Sequence, residues 1–258
     1  MKREHFLTFL GVTLISFFLV QCVNRQPAST SLLVSAAASL KEVLEEIKPM
    51  YQKNHANVDL TFNFGASGAL LQQIEQGAPT DIFISAAKRQ IETLDRKGAL
   101  IPETQTNFAT NQLALIVPNS SKSVTNFASL KEPEIKRIAI GEPRSVPAGQ
   151  YAEQVLQKLN LIKDVKPKLV YANNVRQVLA AVESGGADAG FVYITDAKIS
   201  DKVKVAIVAD ERLHSAIVYP MAVLKSSKNV DAAKAFVQYL SGNDARGILR
   251  KYGFSTPK

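Results

Sequence analysis

Asn63-Phe64-Gly65-Ala66-Ser67-Gly68-Ala69-Leu70-Leu71-Gln72-Gln73-Ile74-Glu75-Gln76-Gly77 changes its apolar period partway along. Ahead of it Val58, Leu60 and Phe62 alternate with polar residues, the spacing of a half-buried strand. Within it Leu70, Leu71 and Ile74 recur at helical spacing, and Gly77 is a natural helix stop. Between strand and helix lies a turn of small residues with one hydroxyl, Ser67, at the helix start. A helix start has backbone N–H groups without intrahelical partners and the positive end of the helix dipole, so strand, small turn and helix together make an anion site. A serine in this place also serves as a plain helix cap, its commoner use. The turn alone leaves both readings open.

The same construction stands earlier in the chain. Leu32 to Ser35 reads as a short strand, Ala36-Ala37-Ala38-Ser39 as a small turn, and Leu40, Val43, Leu44 and Ile47 as a helix stripe. Ser39 with Glu42 three residues on matches a capping box. Ile82-Phe83-Ile84 reads as a buried strand, and Ile91 and Leu94 mark a helix closed by Gly98. Strand and helix thus alternate, which predicts an α/β protein with a parallel sheet covered by helices on both faces. In such sheets ligands sit beyond the carboxyl ends of the strands, where Ser39 and Ser67 fall.

A second α/β block follows. Leu113 to Val117 is a strand ended by Pro118; Ile138-Ala139-Ile140 leads into a turn ending Val146-Pro147-Ala148-Gly149 and a helix carrying Tyr151, Val155, Leu156 and Leu159. Leu169-Val170-Tyr171 is a strand, Asn173-Asn174 caps a helix carrying Val175, Val178, Leu179 and Val182, and Gly185-Gly186 stops it. Strands follow at Ala189 to Tyr193 and Val203 to Val208. Ile217 to Leu224 is a strand interrupted by Pro220, hence an edge or a crossover. Two amphipathic helices, around Ala235 to Leu240 and Ala245 to Tyr252, end the chain.

Composition narrows the function classes. The 258 residues suffice for one large domain or two lobes, and the 46% hydrophobic and 21% charged content is that of a globular protein. The formal charge of +8 comes from scattered Lys and Arg, with no Trp and no basic–aromatic stripe, so it describes a solvated basic surface and not a nucleic-acid face. Residues 1–22 read as an export signal: Lys2 and Arg3 precede an apolar run from Phe6 to Val20, which is too short for a comfortable membrane span. The run ends at Cys22, the single cysteine of the chain. Its placement resembles a bacterial lipoprotein signal, with Gln21 where a small residue is usual. Lipidation at Cys22 and a polar tether over residues 23–31 would hold the protein at a membrane surface. A cleaved signal or an uncleaved anchor is the alternative.

Ser39, Ser67, the Pro147-Ala148-Gly149 turn and Asn174-Val175 are four helix starts that present donors and no carboxylate. Around them several blocks resemble one family. Ser-Ala-Ala-Ala-Ser-Leu (35–40), Gly-Ala-Ser-Gly (65–68) and Gly-Ala-Pro-Thr-Asp-Ile-Phe-Ile-Ser-Ala (77–86) are similar to the molybdate-binding protein of an ABC transporter. So are Val-Pro-Ala-Gly-Gln-Tyr-Ala (146–152), Asn-Asn-Val-Arg (173–176) and Ala-Gly-Phe-Val-Tyr (189–193), in the same order from Leu32 to the C-terminus. The resemblance implies a two-lobed type II periplasmic binding protein fold, each lobe a mixed sheet flanked by helices, joined by two crossover strands. The lobes would comprise residues 32–112 with 217–258, and residues 113–216. It implies a non-enzymatic, monomeric receptor without cofactor, exported to the periplasm or the outer face of the membrane. Such a receptor delivers molybdate or tungstate to a permease with its ATPase. The implied ligands are the hydroxyls of Ser39, Ser67 and Tyr193 and the backbone N–H groups near Ser39, Ser67, Ala148 and Val175.

Physical chemistry favours such a donor set for a fully deprotonated oxyanion, which accepts hydrogen bonds and gives none. Burying a double charge costs of order tens of kcal/mol unpaired. Charge-assisted bonds of about 1.5–3 kcal/mol each offset that only in number. Phosphate carries a proton and wants an acceptor; Asp81, on a neighbouring turn, reads as structural. Arg144 and Arg176 read as solvated surface residues, and His55 and His214 suggest no metal site. Two other functions compete: the same fold holding sulfate or another small oxyanion, and a serine hydrolase using Ser67. Gly65-Ala66-Ser67-Gly68 approaches a nucleophile elbow, but Ala69 replaces its last glycine and only His214 could serve as base.

Overall fold

Residues 29–121 and 124–256 are described by the computed structural model. Cys22 and the signal-like segment lie outside them. The first half runs β1 (Thr30–Ala37), α1 (Lys41–Asn54), β2 (Val58–Gly65), α2 (Ser67–Glu75), β3 (Ile82–Ile84), α3 (Lys88–Arg96) and β4 (Thr106–Thr110). Then come β5 (Leu113–Pro118), β6 (Ile138–Gly141), α4 (Pro147–Lys158), α5 (Ile162–Val165), β7 (Leu169–Ala172), α6 (Val175–Glu183), β8 (Ala189–Tyr193), α7 (Ile194–Lys198) and β9 (Val203–Val208). The chain closes with β10 (Val218–Val223), α8 (Val230–Leu240) and α9 (Asn243–Lys251).

The strands form two five-stranded sheets, ordered β2-β1-β3-β10-β4 and β7-β6-β8-β5-β9. Both are mixed, as the family resemblance implied and the local alternation alone did not. In the first, β1, β2 and β3 are parallel, while β10 runs antiparallel to both its neighbours. In the second, β6, β7 and β8 are parallel and β5 is antiparallel to β8 and β9. Two connections pass between the sheets: Asn111-Gln112 from β4 to β5, and residues 209–217 from β9 to β10.

Register places the turns. Pairing of β1 with β2 runs from Thr30↔Val58 to Ala37↔Gly65, so the two strands end side by side and their following turns, with Ser39 and Ser67, are neighbours. In the other sheet β6 and β7 end at Gly141↔Ala172, just before α4 and α6. The apolar pattern explains the layers. Val58 and Leu60 are buried while Asp59 and Thr61 between them are exposed, and Ile82, Phe83 and Ile84 are fully buried under helices. Gly77 ends α2 at a φ of 87°, a conformation that a side chain strains.

Two local expectations are corrected, and the edge-or-crossover alternative is decided for the crossover. Ser39 does not cap α1: residues Ala38–Leu40 form a 3-10 turn, the helix starts at Lys41, and no side chain caps it. Glu42 therefore closes no capping box, and its carboxylate is used elsewhere. β10 is not an edge strand despite Pro220; it lies between β3 and β4, with a register shift between Tyr219 and Pro220 where the proline lacks an N–H. Strand β4 was not expected at all.

The start of α4 lies almost on β6. A Cβ at Gly149 would stand 1.8 Å from the Gly141 carbonyl oxygen, a backbone atom that cannot step aside. Gly149→Ala should therefore destabilise the protein by about 3 kcal/mol or more, checked by urea unfolding followed by far-UV circular dichroism.

Candidate functional site

The carboxyl edges of the two sheets face one another across a small cavity of about 10 Å³. It is lined from one side by the Ala37-Ala38-Ser39 turn, Gly65-Ala66-Ser67 and Ala86, and from the other by Val146-Pro147-Ala148, Asn174-Val175 and Tyr193. Six separated stretches of sequence thus meet at one place, and all five residues singled out from the sequence (Ser39, Ser67, Ala148, Val175 and Tyr193) are on its wall. No lining residue carries a charge.

Ser67, Ala148 and Val175 stand in the first turns of α2, α4 and α6, where backbone N–H groups have no intrahelical acceptor. Pro147 at the first turn of α4 presets its start, and Asn174 caps α6 by accepting the Gln177 N–H at 3.0 Å. Ser67, by contrast, caps nothing. Its Oγ accepts the Ala86 N–H at 2.9 Å, and since a backbone N–H can only donate, the serine's own hydrogen remains available. Ser39 Oγ meets the Tyr219 hydroxyl at 3.0 Å. Tyr193 is 1% exposed, and beside the Tyr219 ring its hydroxyl makes no well-formed hydrogen bond among the described residues. Burial, reinforced by the neighbouring Tyr219, pushes that hydroxyl well above the usual tyrosine range, so it stays protonated as a donor. A fully buried hydroxyl left without a well-formed bond on a cavity wall points to a missing acceptor.

Arg176 is not the solvated surface residue expected. Its guanidinium bonds the Glu42 carboxylate on α1, donates to the Ser39 carbonyl at 3.2 Å, and lies 2.9 Å from Asp196 on α7. One side chain on α6 thereby joins the turn bearing Ser39, the helix start bearing Val175 and the segment after Tyr193. Arg144 does lie at the surface, paired with Glu142 at 3.1 Å. Asp81 is structural, accepting the Leu33 N–H at 2.7 Å and the Ser227 hydroxyl at 2.5 Å. His214 packs on Tyr151 and bonds the Ser215 carbonyl oxygen through Nδ1, so Ser67 has no hydrogen-bonded base. Sequence reasoning missed Tyr219, Asn111, Glu42 and Asp196, whose roles depend on partners far along the chain.

The halves also touch directly. The Gly68 N–H donates to the Ser145 carbonyl at 2.9 Å, and the Tyr151 hydroxyl to that of Ala86 at 3.4 Å.

With the architecture and cavity in view, comparison with known proteins is decisive. The sequence profile of the bacterial extracellular solute-binding proteins matches residues 32–255. The chain belongs to that family. It is 43% identical, over 94% of its length and 95% of the relative's, to the Bacillus subtilis protein named "Putative ABC transporter substrate-binding lipoprotein YvgL". It is 38% identical to the molybdate-binding protein ModA of Haemophilus influenzae over 88% of this chain and 91% of that one. Among solved structures, the periplasmic molybdate-binding protein of Azotobacter vinelandii superposes with a TM-score of 0.79 at 27% identity, covering 88% of this chain and 100% of that one. The fold is accordingly that of the type II periplasmic binding proteins, and the family is one of receptors, which leaves the hydrolase reading without support.

Asp196 supplies a pH test of the site's frame. It is fully buried, and burial pushes its carboxyl up to about 6 against the pull of Arg176 and the Tyr193 N–H. The folded protein thus holds this proton more tightly than the unfolded chain. The resulting stabilisation is complete below about pH 4 and is lost as pH rises through about 6, an effect of order 2–3 kcal/mol. Asp196→Asn should flatten the stability profile over that window relative to wild type, measured by urea unfolding at half-unit pH steps.

Proposed function

We propose that this receptor captures molybdate, or tungstate of nearly equal size and charge, outside the cytoplasmic membrane and delivers it as a monomer to the permease and ATPase of an ABC transporter. One observation carries the reading: the cavity presents hydroxyl and backbone donors and no charged side chain, with the buried Tyr193 hydroxyl lacking a well-placed acceptor. Such a wall suits an anion that carries no proton. The relatives named for molybdate binding support the choice of ion. In this reading the ligands are the Ser39, Ser67 and Tyr193 hydroxyls and the N–H groups near Ser39, Ser67, Ala148 and Val175. The lobes are residues 32–112 with 217–258, and residues 113–216, closing on the ion between them. Lipid on Cys22 anchors the protein, a reading in keeping with the lipoprotein named in Bacillus subtilis.

Calorimetric titration with molybdate, tungstate, sulfate and phosphate tests this. Molybdate and tungstate should bind far more tightly than the other two; sulfate binding equally well would overturn the assignment. Ser39→Ala and Ser67→Ala should each weaken molybdate binding about tenfold to a hundredfold, and an unchanged affinity would remove that residue from the site.

Closure has its own test. A Cβ at Gly68 would stand 2.6 Å from the Ser145 carbonyl oxygen, which belongs to the opposite half. Gly68→Ala should lower molybdate affinity at least about tenfold while leaving the unfolding midpoint of the ligand-free protein near wild type. An equal loss of stability would place the contact in the fold and not in closure.

A further inference from the structure

Two residues outside the cavity wall control the polarity of one hydroxyl on it. Asn111 lies between β4 and β5, on the connection between the two sheets. Its Oδ1 accepts the Gln112 N–H at 2.9 Å, and because a backbone N–H can only donate, the amide orientation is settled. Nδ2 then donates its two hydrogens to Thr195 Oγ1 at 2.9 Å and to the Tyr219 hydroxyl oxygen at 3.3 Å. Tyr219, at the start of β10 just beyond the second connection, is fully buried. Its oxygen is occupied by Asn111, and the hydroxyl that meets it with good geometry among the described residues is Ser39 Oγ at 3.0 Å. Either orientation of the pair leaves one O–H without a protein acceptor, but Ser39 lines the cavity and Tyr219 does not, so only a hydrogen left on Ser39 can be met by a ligand. Ser39 Oγ therefore accepts from Tyr219, and its hydrogen is left for the cavity.

We infer that Asn111 and Tyr219 are positioning residues that hold the Ser39 hydroxyl as a donor, and so tune the site toward oxyanions that carry no proton. The inference rests on the oxyanion reading above. The chain Asn111 → Tyr219 → Ser39 gives Ser39 the polarity that Ala86 gives Ser67 directly. Without it the Ser39 hydroxyl turns freely and can accept the proton of hydrogen phosphate as readily as it donates to molybdate. Burial keeps Tyr219 protonated throughout the working pH range, so the relay does not titrate away.

Tyr219→Phe keeps the ring and removes only the relay, and it is to be titrated with molybdate and with phosphate, alone and combined with Ser39→Ala. Alone, it should weaken molybdate about three- to tenfold and narrow the molybdate-to-phosphate affinity ratio. On the Ser39→Ala background it should change neither, because the group it orients is gone. Asn111→Asp, whose carboxylate draws the Tyr219 proton away from Ser39, should weaken molybdate at least as much as Ser39→Ala. Equal losses from Tyr219→Phe in both backgrounds, or an unaltered anion ratio, would overturn the relay while the binding site stands. Wild-type affinity in Ser39→Ala would instead sink the assignment of Ser39 as a ligand, and the relay with it.

Discussion

The Arg176 guanidinium is the point on which the geometry of the cavity depends. It reaches Glu42 and the Ser39 carbonyl on one half of the molecule and Asp196 on its own half. Ion pairs of this kind add little net stability, since removing both partners from water costs about what their attraction returns. What the network supplies is position. Any motion that separates α1 from α6 breaks the Glu42 and Ser39 bonds and leaves the Asp196 pair, so the guanidinium distinguishes a closed arrangement from an open one. It also allows a positive charge to stand behind the wall while every group on the wall is neutral.

That neutrality decides what kind of anion fits. A cation on the wall would attract any anion by charge alone, and a carboxylate would accept the proton of phosphate. Neutral donors do neither; they select by direction. Direction requires that each hydroxyl be told which way to point. Ser67 is told by the Ala86 N–H, and Tyr193 has its hydroxyl in a buried place without a well-formed bond. Ser67 is a committed donor because its oxygen is already occupied, whereas Tyr193 is held only by burial.

Much of this was legible from residues. The alternation of Val58, Leu60 and Phe62, the buried Ile82-Phe83-Ile84 and the stop at Gly77 report local periods and backbone needs, and the structure bears them out. The helix starts at Ser67, Ala148 and Val175 were legible because small residues and capping groups recur in sequence, and register brings them together with the Ser39 turn. Strand β4 was not: Thr106–Thr110 has one large apolar side chain and is held at the sheet edge by β10. The cap reading of Ser39 failed, because the 3-10 turn that displaces it depends on tertiary packing. Arg176 looks like any exposed arginine until Glu42 arrives from 134 positions away. Long-range pairing leaves no local trace.

The two connections between the sheets carry more than the chain. Asn111 sits on one and Tyr219 just beyond the other, at the start of β10, and they are hydrogen-bonded to each other and onward to Ser39. Neither group belongs to the wall supplied by α4 and α6, so their bonds to Ser39 do not depend on that wall. A hydroxyl oriented from its own side of the cavity needs nothing from the opposite side to be a donor.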